Sequence, residues 1–516
     1  RPQCPRGELA MNVSFSRIFL VLLLPIASLC SDEQPTVPKD TPTRDVQEIS
    51  RSQHVLKLNG TNIEYDAVCG MLPLNNGDDK TKASMYFTGY FKKQPSNNSA
   101  KRPLIFCFNG GPGSSSVWLH MGLLGPKKVL VKDAAFTKPP AAYIDNPYTL
   151  LDSADLVFID PVSTGFSKLM PEADSKQFHS VEGDAESFAE FIRLFLTHFH
   201  RWQSPKYLMG ESYGTIRAIS LANYLHDVSF IEMNGIILVS MCLDFQAYDF
   251  GNGNDLPYVL NLPTYAACAW YHKKLPEHLQ KKPLNDLLAE VEKFSLHEYA
   301  TALLLGDDLE QNAKNAMAKR LADYTGLKSD FINASCLRVV NTSFYRELLK
   351  QESKVIGRFD GRYVAFETNL QEEPMFVPDP SFDAITGPFT SAFHQYLYEQ
   401  LKVEKSDPYY ILNANAVFPW SFSIDRSQAG LGYLYMTGKL RTLIEKNPTL
   451  NVFVMSGIYD LATPYFAANY SLKHLKLDPA LRSNIQVQTY EAGHMMYLNN
   501  TAHAKIKTDL VKFLAR

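Results

Sequence analysis

The chain has 516 residues, of which 45% are apolar and 20% charged, and its formal net charge is −3. Such a length holds one large core with an insertion, or roughly two to three ordinary domains. The near-neutral balance excludes the basic field that draws nucleic acid and gives no acidic tail.

Residues 1–10, RPQCPRGELA, precede Met11 and read as a non-native upstream segment. From 11 to 30 the order is Arg17, an apolar run over 18–29, and then Ser28-Leu29-Cys30, the pattern of a secretory signal peptide. The run is too short to span a bilayer, so no stable membrane anchor is expected. Residues 31–54 are polar and rich in Pro, Thr and Asp, the composition of a flexible leader. Beyond the signal peptide, six Asn-x-Ser/Thr sites suit the secretory route as glycosylation candidates: Asn59, Asn97, Asn333, Asn341, Asn469 and Asn499. Five cysteines lie beyond the leader, Cys69, Cys107, Cys242, Cys268 and Cys336. Their number is odd and they form no CxxC, so at least one thiol is unpaired and a metal site is not expected. Cys107, inside LIFCF, reads as a small core residue.

Apolar runs then recur as strands: 84–91, 103–109, 155–160, 206–210 and 235–240, followed after a long gap by 451–456 and 485–490. Several are apolar on both faces, as in strands covered by helices on each side. Phe188, Phe191, Ile192, Phe195 and Phe199 stripe a helix over 184–199, a second helix follows from Ser212 to Tyr224, and Ile506, Leu510, Val511 and Leu514 stripe the last one. The alternation predicts an α/β fold with a central mixed sheet and an antiparallel start. It runs over 55–249 and again over 406–516. Between them, residues 250–405 read as a mostly helical cap insertion, with Leu284, Leu287, Leu288, Val291 and Phe294 on one face and a further helix ending near Gly326.

The chemistry gathers at strand ends. Gly210-Glu211-Ser212-Tyr213-Gly214 follows a short apolar strand and opens a helix, the setting of a nucleophile elbow. Backbone N–H groups at the helix start, with its dipole, favour a developing oxyanion. A serine hydroxyl attacks only if a histidine takes its proton and an acid orients that histidine. In this arrangement the chain order is Ser, acid, His. Asp460 in SGIYDLATP and His494 in YEAGHMMY satisfy it, each just past a predicted strand. His474 and His503 compete from helical stretches, and Asp478 from a turn. Phe108-Asn109-Gly110-Gly111-Pro112-Gly113 is a strand-end loop able to bring backbone N–H groups close to a tetrahedral oxygen.

NGGPGSSS (109–116), GESYG (210–214) and the loops of Asp460 and His494 resemble the serine carboxypeptidase family, serine exopeptidases on an α/β-hydrolase fold. The likeness extends through YFTGYF (86–91) and DPVSTGFS (160–167) and covers the chain from about residue 55 onward. It implies that Ser212 is the nucleophile, His494 the general base and acid, and Asp460 its orienting partner. It further implies an oxyanion hole from the N–H groups of Gly111 and Tyr213, and a grip on the substrate's terminal carboxylate by Asn109 and Glu211. Glu211 would then be a protonated acid, because two carboxyl groups in contact cannot both ionise cheaply.

Three features depart from the family pattern. Ser114 stands where cysteine is usual and Ser163 where glycine is usual, while Thr215, Arg217 and GHMMY are closer to the bacterial-type branch. The resemblance implies hydrolysis of C-terminal peptide bonds, favoured in acid, on peptides or proteins with a free C-terminus. It needs no cofactor and no metal, and the setting would be secreted or a lysosomal or vacuolar compartment. Monomer and homodimer both fit. Acyltransferases and esterases share the scaffold, and a protective or binding protein on the same fold is the non-enzyme alternative.

Overall fold

The computed structural model describes residues 46–75, 80–94, 101–367, 379–423 and 432–516. The upstream segment, signal peptide and Asn97 lie outside them. The sheet opens with β1 (Gln47–Leu58) and β2 (Thr61–Leu74), joined by Asn59-Gly60 with φ of 50° and 81°. Two positive φ values in a two-residue connection match the right-handed twist of the flanking strands. Residues 47–54 are therefore paired strand and not flexible leader. Strand β1 pairs with β2 along its length apart from a register shift at Ile49, whereas the composition there signalled only polarity.

The order across the sheet is β1-β2-β3-β5-β4-β6-β7-β8-β9. Here β3 is Ala83–Lys92, β4 Leu104–Phe108, β5 Asp155–Ile159, β6 Lys206–Glu211, β7 Gly235–Val239, β8 Asn451–Gly457 and β9 Ile485–Tyr490. Pairing is antiparallel from β1 to β5 and parallel from β5 to β9. The mixed sheet with an antiparallel start is thus present.

Alternate residues of each strand enter opposite cores. Ile105 and Cys107 of β4 join one cluster, while Leu104, Phe106 and Phe108 join the other. Helix α1 (Val181–His198) covers the second face with Phe188, Phe191, Ile192 and Phe195, each fully buried side chain contributing about 2 kcal/mol. It starts three residues before the predicted start at 184, because the Ser180 hydroxyl accepts from Gly183 N–H at 3.0 Å.

Between β7 and β8 the chain is mostly helical, as the fading strand signals imply. Its helices include α3 (Leu256–Tyr271), α4 (Leu284–Phe294), α5 (Gln311–Thr325) and α6 (Pro380–Glu399). Leu287, Val291, Phe294 and Leu321 build a core of their own that takes in Ile458, Tyr459 and Leu461 from the loop after β8. The insertion therefore packs directly on the turn that carries Asp460. Among the described residues all five cysteines are unpaired, and only Cys336 is exposed. No helix of the described residues is long and apolar enough to cross a membrane.

Candidate active site

Ser212 sits between β6 and α2 (Tyr213–Asp227), with φ 61° and ψ −127°. A non-glycine residue rarely adopts this backbone, and strain of this kind persists only where the surroundings enforce it. Gly210 is one enforcing element, because a Cβ there would lie 2.0 Å from the carbonyl oxygen of Gly214. The bond from Ser212 N–H to Val239 O at 2.9 Å is another.

The glycine loop after β4 closes onto the same helix start. A Cβ at Gly110 would stand 2.5 Å from the Tyr213 nitrogen, so only glycine brings the two loops this near. Among the described residues neither Gly111 N–H nor Tyr213 N–H has a backbone acceptor. Two unsatisfied donors beside Ser212 suit an oxyanion.

Asp460 is wholly buried, yet its carboxyl is fully bonded. One oxygen accepts from Ala462 N–H and Thr463 N–H at 2.8 and 2.9 Å. The other accepts from the Thr463 hydroxyl at 2.6 Å and faces His494 Nδ1 at 2.7 Å. Burial pushes the carboxyl up, but the charge and hydrogen bond of His494 outweigh it and hold it below its ordinary value. Burial likewise pushes His494 down, and the charge and hydrogen bond of Asp460, with Glu211 behind, raise it above the usual histidine range. With Nδ1–H given to Asp460, Nε2 remains as the nitrogen able to accept a proton. The ring lies stacked on Phe359 at 4.7 Å, and its backbone N–H donates to Phe359 O at 2.6 Å.

Glu211 is 1% exposed. Burial raises its carboxyl to about 7, against the opposing charge of His494 and the hydrogen bond from Tyr497. The Tyr497 hydroxyl donates to Oε2 at 2.9 Å. Asn109 uses its side-chain oxygen to accept from Leu119 N–H at 3.0 Å, which turns its amide NH2 toward Glu211. Burial, with a smaller push from the Asp460 charge, thus lifts Glu211 before any substrate carboxylate arrives.

Ser212, His494, Glu211, Asn109 and Gly111 all line one cavity of about 400 Å³. The competing groups have structural duties. His503 Nδ1 meets the buried Lys128 amine and its Nε2 meets Leu123 O, His474 closes the helix Tyr465–Lys473, and Asp478 caps a short turn through Ala480 N–H.

The departures from the family pattern are accounted for locally. The Ser114 hydroxyl accepts from Trp118 Nε1–H at 2.9 Å, and its loop is fastened to residues 411–413 by Ser115 N–H to Ile411 O and Asn413 N–H to Gly113 O. Hydrogen bonds therefore anchor the loop at the place of the cysteine. Asp160 anchors it from below, accepting from Ser116 N–H at 2.9 Å and the Tyr409 hydroxyl at 3.0 Å. Ser163 has φ 68°, a backbone suited to glycine, and its hydroxyl meets His179 Nε2 at 3.1 Å. Thr215 donates to Ser212 O at 2.7 Å. Arg217, 1% exposed, donates to Asp184 at 2.7 Å and to the Asn109 carbonyl, so it braces the glycine loop from within the core.

Thr463, Tyr497, Phe359 and Asp184 were absent from the sequence-based site. Thr463 stands three residues after Asp460 and reaches back to it, a local spacing that could have marked it, whereas Tyr497, three residues after His494, donates to the distant Glu211. Phe359 lies in the cap and carries no local signal.

The sequence model of the family described as serine carboxypeptidase matches residues 67–508. Serine carboxypeptidase-like 33 of Arabidopsis thaliana is 26% identical over 214 residues, which is 40% of this chain and 40% of that protein. Serine carboxypeptidase-like 51 of the same plant is 27% identical over 223 residues, 41% of this chain and 43% of that protein. The matched part thus spans well under half the length of these relatives. The crystal structure of Kex1, a prohormone-processing carboxypeptidase from Saccharomyces cerevisiae, superposes with a TM-score of 0.55 at 17% identity, covering 87% of this chain and 91% of that one. At that identity the likeness speaks for the fold. Since the family match runs from β2 into the last helix, the chain belongs to the serine carboxypeptidase family and has its α/β-hydrolase fold.

Proposed function

We propose that the protein is a serine carboxypeptidase that removes C-terminal residues from peptides, best in acid. The observation carrying this reading is the buried Glu211, its carboxyl raised by burial to about 7, beside Ser212 in a single cavity that also contains His494. An esterase needs the nucleophile and base but not the buried acid.

In the proposed cycle the Ser212 hydroxyl attacks the last peptide carbonyl while His494 Nε2 takes its proton. The N–H groups of Gly111 and Tyr213 receive the oxyanion. His494 then protonates the departing amine, which leaves as the free C-terminal amino acid. Water, deprotonated by the same imidazole, hydrolyses the acyl-enzyme. Asp460 holds the imidazole in one tautomer throughout. The Asn109 amide and protonated Glu211 hold the substrate's carboxylate, with Tyr497 aligning Glu211. The acid preference, with the leader-like start of the sequence, points to a secreted or lysosomal-type setting.

The test is mass spectrometry of one peptide and its C-terminal amide from acid to neutral pH. A C-terminal ladder from the free acid alone supports the reading. Ester turnover without a ladder moves the function to acyl transfer or esterase chemistry.

Two variants probe the electrostatics. Glu211 is useful as a donor below its value of about 7, so peptide hydrolysis should fall as pH rises through that range. Glu211→Gln donates at every pH, and this decline should vanish. An unchanged pH–rate profile would sink the assignment. Thr463→Val removes a donor from Asp460 without changing shape much. The carboxylate should then lean harder on His494, shifting the acid limb upward and lowering kcat/KM by up to about tenfold. A drop in kcat/KM with no shift would make Thr463 a packing residue only.

A further inference from the structure

The cavity beside Ser212 has mostly apolar walls, including Trp118, Phe359, Phe382, Leu412, Phe418 and Met495. Into it also comes Arg358, a residue none of the catalytic roles requires. Its guanidinium lies over the Phe359 ring at 5.1 Å, and Phe359 in turn stacks on His494. The charge is felt at the reaction centre, since it pulls the His494 imidazole down against Asp460 and Glu211.

The backbone of Arg358 is fixed on both sides. Its N–H donates to Asp379 Oδ1 at 3.0 Å, and its carbonyl accepts from Leu461 N–H at 3.1 Å, next to Asp460. Two residues on, Asp360 and Arg362 form a buried pair, and Arg362 also reaches Asp133 at 2.9 Å. A loop pinned this way presents its side chain from a set position, which keeps the ordering cost of a contact low.

The guanidinium has no carboxylate partner within 4.0 Å among the described residues, in contrast to Arg338, Arg346 and Arg362. Asp379, which shares the cavity, makes no ion pair with the guanidinium and commits one oxygen elsewhere. The same oxygen that binds Arg358 N–H accepts from Ser381 N–H and the Ser381 hydroxyl at the start of α6, where the helix end favours its charge. What remains is a cation over an aromatic floor at the mouth of an apolar cavity. The substrate's terminal carboxylate is already provided for by Asn109 and Glu211, on the Tyr497 side.

Resting on the carboxypeptidase reading, we propose that Arg358 is a specificity residue that receives an anionic side chain, Asp or Glu, from one of the two residues flanking the scissile bond. A guanidinium takes a carboxylate through two parallel N–H···O bonds, a geometry that Gln and Leu cannot match.

The experiment uses the full chain and N-blocked peptides that differ only by Glu or Gln, placed last or next to last. The C-terminal amide of the better Glu peptide is included. Hydrolysis is followed by mass spectrometry near pH 5.5 and at two salt concentrations. The wild type should favour Glu over Gln at one position by about three- to fivefold, as for a partly exposed ion pair, and salt should erode the preference. Arg358→Met should bring the ratio to one, and Arg358→Lys should keep part of it. Equal rates on Glu and Gln peptides in the wild type overturn the proposal. So does an equal loss on both free acids in Arg358→Met, which would put the guanidinium on a part of the substrate that both peptides share, such as the terminal carboxylate. Failure of the wild type to cut any peptide overturns the carboxypeptidase reading itself, a result distinct from cutting without preference.

Discussion

Ser212→Ala is expected to lower kcat for peptide hydrolysis by roughly a millionfold, as loss of a nucleophile does when the rest of the site stands. The fold should be retained, since the side chain lies in the cavity and supports no strand or helix contact. Alanine keeps the strained backbone at φ 61°, so unfolding in urea should match the wild type. Ser212→Gly separates chemistry from strain. It should be equally inactive yet more stable by about 1 kcal/mol, because glycine adopts this region freely. Kinetics and urea midpoints measured together decide the matter. Peptide hydrolysis above about 1% of wild type in either variant would mean another nucleophile.

Arg217→Met should produce the largest loss of stability, about 3–5 kcal/mol at neutral pH. The guanidinium is buried among the rings of Phe108, Phe188 and Tyr213 at 5.5, 4.9 and 5.3 Å, and it neutralises Asp184. Asp184 is already raised by burial, with Arg217 opposing. Without its partner the carboxyl rises further, and the folded state then binds a proton that the unfolded chain releases. The penalty should therefore be full at neutral pH and shrink as pH falls through the raised value, so urea midpoints of variant and wild type should converge in acid. Adding Asp184→Asn should restore part of the loss at neutral pH. Activity should fall beyond what stability explains, because the Asn109 carbonyl loses its brace. A gap between midpoints that does not change with pH would exclude the unpaired carboxyl as its source.

The sequence was readable where one physical cause acts locally. All seven predicted strands are present, because runs such as LIFCF and GIILVS are apolar on both faces and have no other use. The elbow at Ser212 and the loops of Asp460 and His494 were legible because glycines and strand ends lie next to them in the chain. The hairpin of β1 and β2 was missed although Asn59-Gly60 is a strong turn signal. Its polar outer residues hid the alternation, and the leader-like composition upstream extended too far. Phe359 and Asp184 were beyond reach for a different reason. Their partners His494 and Arg217 are distant in sequence, and nothing in the cap or in α1 marks one phenylalanine or one aspartate among many. Arg217 was noticed only as a departure, and its meaning lies in the pairing with Asp184.

The distances along the chain have a temporal side. Tyr497 and Glu211, which meet in the cavity, are separated by 286 residues. At ribosomal rates of about 5–20 residues per second, the stretch between them takes roughly a quarter of a minute to a minute to make. Throughout that interval Ser212 and its elbow exist without their imidazole. The glycine loop, too, waits for residues 411–413 to be fastened. On the roles proposed above, a chain made in this order has the Ser212 elbow long before His494, so the site can be completed only near the end of synthesis.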